Sequence, residues 1–184
     1  WGYSDTSEIT VDVNDPAMGM VQVNTILLNE ELPGVNSSVY PWTGSYMNDV
    51  SLPLIAVPLP GYRFVEWMEI GDTDDTITWT PGGDISYTAV FEADPEYQNV
   101  LINEVMLNND SYYSDLHGDY DDWSELFNPN DYPINLSGCK VQKDFNEYVI
   151  PNGTVIPANG YLLFWHDAET YQGWDHASYT LPNE

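Results

Sequence analysis

Apolar residues in this chain recur at every second position, in short runs closed by proline, glycine or asparagine. No stretch carries the i, i+3, i+4, i+7 spacing that would give a helix one buried face. The run ITVDV sets Ile9, Val11 and Val13 on one side and Thr10 and Asp12 on the other, the period of a half-buried strand. Runs of this kind return at Met20–Val23, Val50–Pro58, Tyr62–Met68, Ile77–Thr80 and Ser86–Phe91. They continue through Val100–Leu107, Trp123–Phe127, Ile134–Leu136, Cys139–Val141, Tyr148–Ile150, Val155–Pro157 and Tyr161–Trp165. Strands separated by turn signals at roughly 8–12-residue intervals predict an all-β chain. Pro53 demotes its run to a sheet edge or a bulge. Leu32–Thr43 reads as a loop, and His166–Glu184 carries no clear strand.

Residues 1–8 read as a polar linker, and the stretch Ala93-Asp94-Pro95-Glu96-Tyr97-Gln98 interrupts the strand pattern. The expected division is therefore a small β-rich domain at 9–93, a linker at 94–98 and a second domain at 99–184. A hydrophobic fraction of 42% with seven Trp and fourteen Tyr supplies both cores. The chain begins at Trp1 and reads as a piece of a longer precursor. No apolar run approaches the ~20 residues of a membrane-spanning helix, so no membrane insertion is expected. The single Cys139 leaves no internal disulfide and reads as a small core residue.

Thirty Asp and Glu face three basic residues, Arg63, Lys140 and Lys143, for a formal charge of −27. The acids divide sixteen and fourteen between residues 1–98 and 99–184, so the charge belongs to the whole surface. Such a surface repels nucleic acid and anionic membranes. It suits high ionic strength or divalent cations.

The densest acidic stretch lies between two apolar runs, where Asp115, Asp119, Asp121 and Asp122 surround Gly118. Hard divalent cations take oxygen ligands, and Ca²⁺ takes six to eight of them. The expected Ca²⁺ ligands are these four aspartates, with Glu104 and Glu125 from the flanking strands. The spacing is not that of an EF-hand, and the competing reading is a solvated turn in an acidic protein.

The second half resembles the lamin tail domain, an immunoglobulin-like β-sandwich. The resemblance is carried by Ile102-Asn103-Glu104-Val105, by Gly118-Asp119-Tyr120-Asp121-Asp122-Trp123-Ser124-Glu125-Leu126-Phe127-Asn128-Pro129, and by Ile134-Asn135-Leu136-Ser137-Gly138. It continues in Ile150-Pro151-Asn152-Gly153 and Ile156-Pro157-Ala158-Asn159-Gly160-Tyr161-Leu162. Cys139 stands where the family has Trp, and the last strands of the sandwich are expected to be missing or supplied elsewhere. The first half resembles the small β-repeat that accompanies such tails in bacterial surface proteins. Its shared pieces are Gly19–Asn24, Tyr40–Tyr46, Ala56-Val57-Pro58, Gly61-Tyr62-Arg63-Phe64-Val65-Glu66-Trp67 and Tyr87–Phe91. Repeat followed by tail is similar to the accessory region of secreted CotH-type proteins. That resemblance implies a non-catalytic, secreted or cell-surface module whose partners are other domains of its parent protein or components of the surface.

Other chemistries are weakly supported. Carboxylate pairs spaced for glycoside hydrolysis arise anyway among thirty acids. His166, Asp167 and His176 lack metal-ligand spacing and read as exposed or locally hydrogen-bonded. The alternative function is a carbohydrate-binding module with an aromatic platform formed by Trp42, Trp165 and Trp174. Trp67, Trp79 and Trp123 fall within strand patterns and are expected in the cores.

Overall fold

The computed structural model describes residues 5–29 and 39–181, all strand, turn and loop. Two compact units divide between Tyr97 and Gln98. The loop expected at Leu32–Thr43 lies partly outside the described residues.

The first unit contains β1 (Thr6–Val13), β2 (Gly19–Val23), β3 (Ile26–Leu28), β4 (Trp42–Met47), β5 (Leu52–Pro58), β6 (Tyr62–Trp67), β7 (Thr76–Trp79) and β8 (Ile85–Ala93). They form two four-stranded sheets, ordered β4-β1-β8-β6 and β3-β2-β5-β7. Every pairing is antiparallel except β1 with β8. The alternation in β1 buries Ile9, Val11 and Val13 against Trp67, Trp79, Ala89 and Phe91. Phe64 packs onto that cluster, with its ring 5.6 Å from that of Trp67 and 5.9 Å from that of Phe91. Gly61, at φ +90°, makes the turn into β6 in a backbone conformation that side-chain-bearing residues resist. The buried Tyr40 hydroxyl accepts from Val21 N (2.8 Å) and donates to Leu28 O (2.7 Å), and burial pushes its pKa well above the phenol range.

Three sequence expectations change here. Thr6–Glu8 are not linker: they pair with β4, and buried Ser7 donates to Asn48 Oδ1 (2.6 Å). Trp42 and Thr43, read as loop, open β4. Pro53 does not sit at an edge, because β5 lies between β2 and β7. It is tolerated because it stands one residue inside the strand, beyond the last β2 pair at Val23↔Leu54, and contributes its carbonyl to Asn24 N (2.8 Å).

The second unit contains β9 (Leu101–Met106), β10 (Trp123–Phe127), β11 (Ile134–Asn135), β12 (Lys140–Lys143), β13 (Asn146–Val149), β14 (Val155–Ile156), β15 (Tyr161–His166) and β16 (His176–Ala177). Its main sheet runs β16-β15-β10-β9, with β11-β14 and β12-β13 as two-stranded ribbons. Trp123, Ile134, Leu136, Ile150, Ile156, Phe164 and Trp165 are buried. Asn128 is fully buried and acts as a polar brace. Its Nδ2 donates to Tyr132 O (2.9 Å) and Pro157 O (2.9 Å), and its Oδ1 accepts from Asn130 N (3.0 Å). Cys139 is half-buried and free, and burial raises its thiol pKa. The edge strand β9 is exposed along most of its length, with Leu101, Ile102 and Val105 among its open residues. The segment after Trp165 does form a strand, the short β16, which pairs in parallel with the end of β15.

Candidate functional site

The acidic loop between β9 and β10 folds on two buried side chains. Asn109 Oδ1 accepts from the amides of Tyr112 and Tyr113 (3.2 Å each), while its Nδ2 donates to Asp121 O (2.9 Å). Asp115 Oδ1 accepts from His117 N and Asp119 N, both at 2.8 Å. A carboxylate receiving two backbone N–H groups in a turn is a common local solution for a short acidic segment. The other oxygen, Asp115 Oδ2, is buried without a hydrogen-bond partner and lies 4.0 Å from His176 Nε2.

The chain after β15 returns to meet this loop. His176 donates from Nδ1 to Asp167 Oδ2 (2.5 Å), and both side chains are nearly inaccessible, at 4% and 2%. Its ring stacks on Trp165, which stacks in turn on Tyr113. His117 Nε2 is bonded to Gln172 O (3.2 Å). The Gln172 side-chain nitrogen donates to both Asp119 Oδ2 and Glu169 Oε2, and its Oε1 is buried without a partner. Asp121 has its carboxyl pKa raised, first by burial and then by the charges of Asp167, Asp119, Glu169 and Asp115. Such mutual coupling is the signature of carboxylates gathered in one place.

Of the expected ligand set, Asp115, Asp119 and Asp121 therefore come together. Asp122 turns away, its Oδ1 accepting from Asn109 N (3.3 Å) and its carbonyl from His166 N (2.7 Å). Glu104 and Glu125 face each other across β9 and β10, and Glu125 takes a bond from Asn103 Nδ2 (2.8 Å). Beside the loop stand Asp167, Glu169 and Gln172, with Gln172 bonded to Asp119, an approach that sequence spacing could not connect to a loop some fifty residues earlier. Among the described residues no three His, Cys, Asp or Glu side chains already stand at metal-ligand spacing.

His166 and His176 are buried rather than exposed. His166 Nε2 shares a hydrogen bond with Ser124 Oγ (2.8 Å), and burial lowers its pKa against the opposing pull of Asp122 and Asp167. Trp165, one of the three expected platform residues, is not available on the surface. Trp165 is buried in its stack, Trp42 lies in the first unit packed on that unit's core, and Trp174 is half-exposed. Trp67, Trp79 and Trp123 are all buried, as their strand positions require.

These features define a pair of all-β modules, the second an immunoglobulin-like sandwich with an acidic face braced by its own return segment. Residues 93–183 match the family model of the Lamin Tail Domain, and residues 32–95 match that of the Divergent InlB B-repeat domain. No curated protein matches the chain. A solved structure of a DUF4876 family protein from Bacteroides thetaiotaomicron is 9% identical, over 91% of this chain and 50% of its own, with a TM-score of 0.27. The chain thus spans about half the length of that protein, and the likeness is too slight to carry fold or function.

Proposed function

We propose that this chain is a non-catalytic structural and interaction module of a larger secreted or surface-exposed bacterial protein, with Ca²⁺ stabilising its second unit. The observation that carries the reading is the tandem itself: a B-repeat followed by a lamin tail, both non-catalytic domain types. Each has its own buried core, so each can serve as a spacer for domains on either side. The partners are then neighbouring domains of the parent protein, as in CotH-type proteins, or components of the cell surface. Strong like charge favours an aqueous, salt-rich exterior over contact with nucleic acid.

Two measurements test it. Glu-C shaving of intact cells should release peptides of this chain, and finding it only in the cytosolic fraction would sink the surface assignment. Calorimetry should give two transitions, each retained when residues 5–97 or 98–184 are expressed alone. A single transition lost on separation would mean the units are not modular.

A further inference from the structure

We propose that the open edge of β9 takes an extended segment of a partner protein, one in which apolar and basic residues alternate, as an added strand of the main sheet. The inference rests on the reading of the chain as an interaction module and names the surface used and the chemistry it selects.

The backbone is the first argument. β9 ends the main sheet and pairs with β10. Among the described residues no backbone hydrogen bond outside that ladder reaches Leu101–Met106. One side of the strand therefore presents a row of N–H and C=O groups that an extended peptide can satisfy.

Packing is the second. Directly paired residues share a face of the sheet, so Phe164, Ser124 and Val105 form one row and Leu162, Leu126 and Ile102 the next. Phe164 is fully buried and packs edge-on against Tyr148 and Trp174. The cover thins toward β9: Ser124 is still buried, whereas Val105 is 49% and Ile102 69% exposed. The ladder slips between Glu125 and Leu126, and this bulge carries Ile102 to the face of Val105. Bulges often blunt an edge, but this one gathers two apolar side chains at it. An added strand with apolar residues at alternate positions covers both.

Charge selects the occupant. Glu104 stands directly opposite Glu125, and Glu125 takes one bond from Asn103 Nδ2 (2.8 Å). The chain's three basic side chains pair elsewhere: Arg63 with Glu92, Lys140 with Glu147 and Lys143 with Asp144. Like charges facing each other across strands are destabilising and opposite charges stabilising, so a lysine or arginine of the incoming strand beside Glu104 is favoured. The same glutamate opposes β9 of a second copy, and so does the charge of −27 carried by each chain. A basic partner is thereby preferred over self-association.

The test uses the whole chain at physiological salt, where exposed charges more than ~8 Å apart are largely screened. The probe is a capped octapeptide of alternating valine and lysine, with binding read by fluorescence anisotropy and its place on the protein by amide hydrogen exchange. It should bind at least about tenfold more tightly than a scrambled isomer of equal charge or a valine–glutamate analogue, and should slow exchange along Leu101–Met106. Methylating the peptide's backbone nitrogens, which leaves its charge in place, should abolish binding. The variant I102T/V105T, changed at two exposed sites, should melt at the parent temperature and weaken binding at least tenfold; E104Q should weaken it several-fold. No binding, or equal binding of the scrambled or methylated peptide, overturns the inference, the latter because it shows attraction to bulk charge alone. Unchanged affinity in I102T/V105T also overturns it, and equal binding of the valine–glutamate peptide overturns the choice of a basic partner. Dimers at neutral pH that I102T/V105T dissolves would make a second copy the occupant instead. The modular surface role stands or falls separately, on shaving and calorimetry.

Discussion

Replacing Trp165 by Ala separates a recognition role for this residue from a packing role. Trp165 is 5% exposed and lies between the rings of Tyr113, 5.8 Å away and nearly parallel, and His176, 6.4 Å away. Truncating a buried Trp costs about 3–5 kcal/mol, the lost transfer energy plus the cavity left behind. Aromatic pairs of this kind add about 0.5–1.5 kcal/mol beyond area burial. A loss near 4 kcal/mol is a large part of the ~5–15 kcal/mol that holds a domain together. At 4–8 °C per kcal/mol for a unit of this size, the melting temperature should fall by about 15–30 °C. Differential scanning calorimetry should show the second-unit transition displaced or absent and the first-unit transition in place. Trp174→Ala, at a half-exposed site, should move it by no more than a few degrees. A Trp165→Ala protein with an unchanged second transition and a lost affinity for some polysaccharide would refute the packing argument and restore the aromatic platform.

Three further outcomes are expected. Asn128→Ala removes the buried side chain that bonds the carbonyls of Tyr132 and Pro157 and the amide of Asn130; urea unfolding should show a loss of about 2–4 kcal/mol from the second unit. The buried His166 imidazole has a lowered pKa, so the unfolded chain binds its proton more readily. The stability it contributes is complete above about pH 6.5 and declines as pH falls below that value, and melting between pH 8 and 5 should show a slope that His166→Gln reduces. Asp121 has the opposite sign: its raised carboxyl pKa means that stability falls as pH rises through the carboxylate range. Asp121→Asn should therefore raise the melting temperature in EDTA at neutral pH, and a decrease would contradict the crowding of charge around it.

Legibility followed the physics of alternation. Ile9, Val11 and Val13 were assignable to a core because a half-buried strand writes its period into the sequence, and they are buried. The strand Trp42–Met47 has no such signature: it reads WTGSYM and alternates only between half-buried and exposed. Without its partner visible, Thr6–Glu8 looked like a linker. Pro53 carries an edge signal in the sequence, yet at the second position of β5, beyond its last β2 pair, a missing N–H costs no ladder bond to β2. In the acidic loop, Asp115, Asp119, Asp121 and Asp122 can be grouped by spacing alone. The contact of Gln172 with Asp119 and Glu169 cannot, since it depends on where β15 sends the chain. The burial of His166 and His176 is likewise a product of tertiary contacts with Ser124 and Asp167.

The open edge of β9 has a consequence for handling the protein. Leu101, Ile102 and Val105 are 51%, 69% and 49% exposed on a strand at the end of its sheet, which makes it a template onto which another copy could zip. The barrier to that reaction is electrostatic: two molecules of charge −27 repel before their backbones meet. The protein is thus a charge-stabilised colloid that carries an adhesive seam. Acidification toward its isoelectric point near 4.1 removes the repulsion while the seam remains, so precipitation there should be β-rich and slowed by a lysine placed at Ile102.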